Sequence, residues 1–177
     1  MNTSPGSSLQ RISIIGGAGH VGLPLALVLV REGFDVDVID IDQEKIAALK
    51  EGHFPFLEQG GQELLSQLQN NSRLRFHSDF APVSDSQAIV VVVGTPVDEH
   101  LNPKLSPIFQ VLEQIRPFLR KGQVLILRST LFPGTSEKIA ALLEQEKLEV
   151  GVAFCPERIA QGKALDECGV YKMFSHS

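Results

Sequence analysis

The sequence predicts an α/β fold, a doubly wound parallel sheet of six strands arranged as two βαβαβ halves. Three observations carry that prediction. Apolar runs recur along the chain with helical segments between them, and strands that are apolar throughout are buried on both faces of a parallel sheet. A glycine-rich turn, GGAGHVG, joins the first apolar run to an apolar helix. The second run, VDVID, closes on an acid, Asp40.

In order, the predicted strands are ISII, VDVI, LRF, AIVVVV, VLIL and VGVAF. Right-handed crossovers group them into halves from about Arg11 to His77 and from about Ala88 to Phe154. The first helix begins near Val21. Asp42 is placed to cap the helix running through Leu49, and Ser106 precedes Pro107 at another helix start. Thr135 follows Pro133 and Gly134 ahead of SEKIAALLEQE. Gly52 and Gly122 each close a helix. Residues 1–9 are expected to be a disordered arm, because MNTSPGSS is small and polar.

At 177 residues the chain holds one substantial domain. A net charge of -5 without a basic cluster argues against nucleic acid and anionic membrane as partners. The apolar stretch VGLPLALVLV is about half a membrane span, follows a glycine turn and lacks a small-residue cleavage site. The expected location is therefore cytoplasmic. Cys155 and Cys168 form neither a CxxC pair nor a disulfide framework, and the histidines show no metal-ligand spacing, so no metal site is expected.

The glycines form a GxGxxG in the setting that gives the pattern meaning, strand before and helix after. Gly17 is expected to let the chain turn off the first strand, Gly19 to keep a side chain away from a diphosphate, and Gly22 to let the helix pack close to the sheet. His20 and Val21 fill the variable positions of this cofactor-binding loop, His20 as a bystander. The diphosphate sits where unpaired N–H groups and the helix dipole favour an anion. Asp40 accepts from the adenosine ribose hydroxyls, and an acid there repels an extra phosphate. No Arg follows in IDIDQEK, so the expected cofactor is NAD rather than NADP.

Four further segments, EGHFPFLEQGGQELL, VVVVGTPVDE, LILRSTLFPGTSEKIAALLE and AFCPERIAQGKAL, resemble the N-terminal domain of the UDP-glucose/GDP-mannose dehydrogenase family. The wording of the last is more similar to the branch acting on UDP-N-acetylmannosamine or UDP-N-acetylglucosamine. The resemblance implies an NAD-dependent enzyme that oxidises a sugar hydroxymethyl group to a carboxylate in two hydride transfers, serving polysaccharide precursor synthesis. It implies that Gly94, Thr95 and Pro96 contact the cofactor's sugar-phosphate region and that Ser129 lines the cofactor side. Thr130 would stand beside the reacting centre and the nicotinamide, and Glu157 would position a water or act as base. Glu58 resembles a loop glutamate near the cofactor, and Lys45 would border the adenosine site. Cys155, at a strand end, does not match the family's downstream nucleophile.

The resemblance covers residues 10–166 as an NAD-binding domain, and residues 167–177 are expected to be a divergent tail. The family's dimerising helix, its second nucleotide-sugar domain and its catalytic cysteine are expected after Asp166, so the chain reads as truncated and inactive alone. A nucleotide-sugar substrate would then bind only with a C-terminal half supplied, and uncovered apolar surface would favour self-association. Two alternatives stand beside this reading: the NAD-binding half of a split enzyme, and another NAD-dependent dehydrogenase of the 6-phosphogluconate or hydroxyacyl type.

Overall fold

Six parallel strands stand in the order β3-β2-β1-β4-β5-β6 in a computed structural model that describes residues 9–94 and 106–156. The strands are β1 (Arg11–Ile15), β2 (Asp35–Ile39), β3 (Leu74–His77), β4 (Ala88–Val91), β5 (Val124–Leu127) and β6 (Gly151–Phe154). The helices are α1 (Gly22–Arg31), α2 (Gln43–Lys50), α3 (Gly61–Leu68), α4 (Ser106–Ile115) and α5 (Thr135–Gln145). All six predicted strands form, and the order reverses between β1 and β4. In open α/β sheets ligands bind in the crevice at that switch point.

Side chains alternate across each strand, and the alternation divides the core. Ile12, Ile14, Val36, Val38 and Val90 pack with α1 and with Leu49 and Leu65 on one face. Ile15, Ile39, Ile89, Val91, Leu125 and Leu127 pack against α4 and α5 on the other, meeting Ile108, Leu112, Ile139 and Leu143. Every residue of α1 except Arg31 is buried, as its apolar sequence requires. Pro24 is tolerated because the first-turn N–H groups have no helical acceptor. Among the described residues no helix is long and apolar enough to cross a membrane.

The Asp42 carboxylate accepts from the Lys45 N–H at 3.1 Å and caps α2 as predicted. Gly52 follows α2 with φ +85°. Thr135 opens α5 directly after Gly134, which flanks the helix in a left-handed conformation, and Thr135 is buried. One boundary expectation is corrected. Gly122 does not end a helix directly, because α4 continues as a 3-10 turn over Arg116–Phe118 and Gly122 belongs to the later turn into β5.

A charged group lies inside the sheet. Asp37, at the centre of β2, has a side chain with no exposed surface. It accepts from Arg11 Nε at 2.7 Å and from Arg75 Nε at 2.7 Å, and its Oδ1 lies 2.9 Å from His77 Nε2. Burial pushes its carboxyl up, but hydrogen bonds from Arg75 and Arg11, together with their charges, outweigh that and hold it below the ordinary carboxylate range.

Candidate functional site

The glycine loop leaves β1 and crosses the carboxyl ends of β2 and β4. Gly16 N–H and Gly17 N–H both donate to the Ile39 carbonyl, at 2.9 and 3.0 Å. The left-handed residue of the turn is Gly16, with φ +75°, and a Cβ there would lie 2.0 Å from the Val92 carbonyl oxygen. The turn off β1 thus needs glycine at Gly16 as well as at Gly17. Gly17 is not left-handed; its missing Cβ instead makes room for the Ile14 carbonyl at 2.7 Å and the Val38 side chain at 2.8 Å. Gly16 was legible as the extra glycine of GGAG, but the GxGxxG frame passes over it.

Gly22 was expected to bring the helix close to the sheet; the close approach it permits is instead to the glycine loop's own backbone. A Cβ there would stand 2.6 Å from the Gly16 oxygen and 2.7 Å from Gly17 Cα. At Gly19 a Cβ would meet only the Gly16 oxygen, at 3.3 Å, and Gly19 lines both openings described below. The backbone can therefore be approached closely at Gly19, beside the N-terminal turn of α1.

Two cavities meet at Gly16, Gly19, Val92, Val93 and Gly94. The first, about 470 Å³, is walled by apolar groups of Ile15, Ile41, Phe80 and Val111 and holds Asp40 at its edge. Gln110 and Gln114 of α4 also line it. The second, about 300 Å³, is lined by His20 and Val21 of the loop and by Arg128, Ser129 and Thr130 at the end of β5.

Asp40 follows β2 directly, and both its carboxylate oxygens are held. Oδ2 accepts from the Ala18 N–H at 3.0 Å and Oδ1 from the Asp42 N–H at 3.1 Å. Each oxygen keeps a lone pair for a further donor. The Ser129 hydroxyl is committed to structure: it donates to the Val93 carbonyl at 2.7 Å and accepts from the Val93 N–H at 3.1 Å, tying the β4 and β5 ends together. Thr130 is exposed at the mouth of the second cavity.

His20 is more than a bystander. Its ring centroid is 4.0 Å from that of Phe56, which meets Phe54 edge-on at 4.8 Å, so the 53–60 loop is seated against the glycine loop. Lys45 is drawn to Asp42, 3.2 Å from Nζ to Oδ2, and lines neither cavity. Glu58 also stands outside both linings. Thr95, Pro96 and Glu157 lie outside the described residues. Cys155 packs against the α1-side core with Arg128 Nη1 3.8 Å from its sulfur. Among the described residues no three His, Cys, Asp or Glu side chains come together as a metal site.

Sequence reasoning missed Ile15, Ile41, Phe80, Gln110, Val111 and Gln114 of the first cavity, and Arg128 of the second. These residues carry no local motif, and only the sheet order brings α4 beside the β2 end. The set fits an extended dinucleotide. It combines an apolar slot, a fixed carboxylate whose oxygens each keep a lone pair, and bare backbone at Gly19 beside a helix N-terminus, the group types such a ligand needs.

The comparisons agree with this geometry. Residues 10–173 match the model of the UDP-glucose/GDP-mannose dehydrogenase family, NAD binding domain. The chain is 32% identical over 161 residues to the UDP-N-acetyl-D-mannosamine dehydrogenase of Methanocaldococcus jannaschii, covering 89% of this chain and 36% of that protein. To the UDP-glucose 6-dehydrogenase of Pseudomonas aeruginosa it is 30% identical over 165 residues, with the same two coverages, 89% and 36%. A ternary-complex structure of GDP-mannose dehydrogenase from Pseudomonas aeruginosa superposes with a TM-score of 0.82 at 30% identity, covering 89% of this chain and 38% of that one. The chain thus spans little more than a third of the length of these relatives.

Proposed function

The chain belongs to the UDP-glucose/GDP-mannose dehydrogenase family as an NAD-binding domain, and from that premise we propose that one NAD lies across both cavities and serves oxidation of a nucleotide sugar. The adenosine occupies the first cavity, with Asp40 accepting from its ribose hydroxyls. The diphosphate lies over Gly19 at the start of α1, and Gly94 flanks its path. The nicotinamide end enters the second cavity, beside Thr130.

When bound, NAD supplies the hydride acceptor; the chain's own residues bind and orient it. Thr130 offers a hydroxyl at the reacting end, and Ser129 holds the Val93 backbone that floors both cavities. Glu157 is assigned the water-positioning or base role on sequence resemblance. The substrate is a nucleotide sugar, UDP-N-acetylmannosamine or UDP-N-acetylglucosamine, oxidised at its hydroxymethyl carbon to the carboxylate in two NAD-dependent steps. The setting is cytoplasmic. Exposed Val124 on β5 and Phe154 on β6 support self-association.

The observation that carries the cofactor reading is the fixed Asp40 carboxylate, held by the glycine loop at the edge of the larger cavity. A charge there favours a ribose with free hydroxyls over one carrying a phosphate. Calorimetric titration of the 177-residue chain with NAD and NADP tests it. Saturable binding with NAD preferred is expected. A folded chain that binds neither, or that prefers NADP, overturns the reading.

A further inference from the structure

Helix α4 carries two stripes of side chains, and the core claims only one. Ile108, Leu112 and Ile115, at i, i+4 and i+7, are at most 4% exposed and pack against the sheet. Pro107, Gln110, Val111 and Gln114, at i, i+3, i+4 and i+7, form a second stripe roughly a third of a turn away around the axis. All four line the larger cavity. A stripe that served only solubility would carry charged residues and would face solvent rather than a cavity. This one has an apolar centre, Val111, flanked by two uncharged amides.

The cavity's chemistry assigns those amides a task. Its other walls near α4 are apolar, with Ile15 and Phe80 on the inside and Ile41 left 75% exposed at the rim. A flat heteroaromatic ring laid in the slot would cover Ile41 and turn its nitrogen-bearing edge toward a polar wall. Gln110 and Gln114 are that wall. Both are exposed, and among the described residues neither side chain has a hydrogen-bond partner, so neither must break a bond to engage a ligand. A carboxamide offers one acceptor and two donors together, the complement of adenine's N6–H donor and adjacent ring-nitrogen acceptors.

We propose that Gln110 and Gln114 are specificity-determining residues that read the adenine edge of the dinucleotide, making this domain selective for the base as well as for the ribose. The inference rests on the cofactor reading above, which places adenosine in the larger cavity. An amide oxygen accepts from adenine N6–H while an amide N–H donates to a ring nitrogen. A cofactor whose N1 and N6 are tied together by an etheno bridge has lost the N6–H donor and the N1 acceptor, and its N6 now only accepts, so the amide oxygen that took N6–H is left without a donor.

The test titrates the full 177-residue chain with NAD and with 1,N6-etheno-NAD, for the wild type, Gln110→Leu, Gln114→Leu and the double variant. Leucine keeps side-chain bulk and removes the amide. The wild type is expected to bind NAD on the order of tenfold more tightly than the etheno analogue, the worth of one or two hydrogen bonds. The double variant should bind NAD less well and the etheno analogue unchanged, closing the gap. A gap that survives in the double variant reports exclusion by bulk and overturns the inference, as does equal binding of both dinucleotides by the wild type. The second comparison needs no variant, so a misfolded one cannot shelter the proposal. If the folded wild type binds neither dinucleotide, the cofactor reading fails and this inference falls with it.

Discussion

The Asp40 carboxylate accepts a hydrogen bond from the Ala18 N–H at 3.0 Å. That contact ties the glycine loop to the end of the neighbouring strand, since Ala18 sits inside the loop and Asp40 directly follows β2. The second carboxylate oxygen takes the Asp42 N–H at 3.1 Å. The acid is thereby fixed before any ligand arrives, and binding need not spend entropy on orienting it.

Asp40→Asn separates these duties. An amide can accept from one of the two N–H groups, but its NH2 must then face the other, which costs about 1–3 kcal/mol. The unliganded melting temperature should therefore fall. NAD affinity should drop by about tenfold or more, the worth of a charge-assisted hydrogen bond, while NADP loses less because the charge that repels its phosphate has gone. Parallel titrations decide the point, and an equal loss for both cofactors would remove Asp40 from the ribose.

Glycine substitutions distinguish loop architecture from ligand contact. Gly16→Ala puts a Cβ 2.0 Å from the Val92 oxygen at a left-handed φ, so it should cost on the order of 4 kcal/mol or more and leave little folded protein. At Gly94 an added Cβ meets nothing within 4 Å. Gly94→Ala should keep the wild-type melting curve to within about 0.5 kcal/mol yet weaken NAD, because the methyl group occupies the path of the ligand. Wild-type affinity in Gly94→Ala would exclude Gly94 from the site.

Strands β4 and β5 were readable because each is apolar on both faces, a signal that survives without knowing its neighbours. The positions of Asp40 and Gly19 at the crevice were readable because one follows a strand end and the other precedes a helix start. Gln110, Phe80 and Ile41 were not, since what they share is a crevice created when β4 crosses to the far side of β1. Asp37 was hidden for a related reason. VDVID reads as a strand with two acids, and only the parallel register places Arg75 directly across from Asp37 while Arg11 reaches it from two residues before its partner Ser13.

That buried carboxylate sets an acid limit on stability. The folded-state pKa of Asp37 is held below its ordinary value, so its contribution is fully present above the unfolded carboxylate pKa, about 3.9, and is lost as pH falls through the folded value. Denaturant midpoints should hold steady with respect to this group down to about pH 4.5 and decline below it. Asp37→Asn leaves Arg11 and Arg75 without their shared charge and should cost about 3–5 kcal/mol near neutral pH. The variant's acid decline should be correspondingly shallower; an unchanged decline would assign it to other carboxylates.

The 53–60 loop supplies a test of how the second cavity is built. Gln62 holds the loop's base, its Oε1 accepting from the Phe54 N–H at 2.9 Å and its Nε2 donating to the Gly52 carbonyl at 2.8 Å. Phe54 then meets Phe56, and Phe56 meets His20 at the cavity wall. Gln62→Leu removes these two hydrogen bonds and a third, from Nε2 to the Ser66 hydroxyl at 3.2 Å, all from a side chain that is itself exposed, so the global cost should stay near 1 kcal/mol, while local opening of the loop becomes easier. Hydrogen exchange at the Phe54 amide should quicken by about tenfold. Under the placement of the nicotinamide in the second cavity, NAD should weaken more than ADP-ribose, which keeps the adenosine and diphosphate but lacks the ring. Faster exchange with both ligands weakened alike would move the nicotinamide away from His20; unchanged exchange would show that the aromatic contacts hold the loop without Gln62.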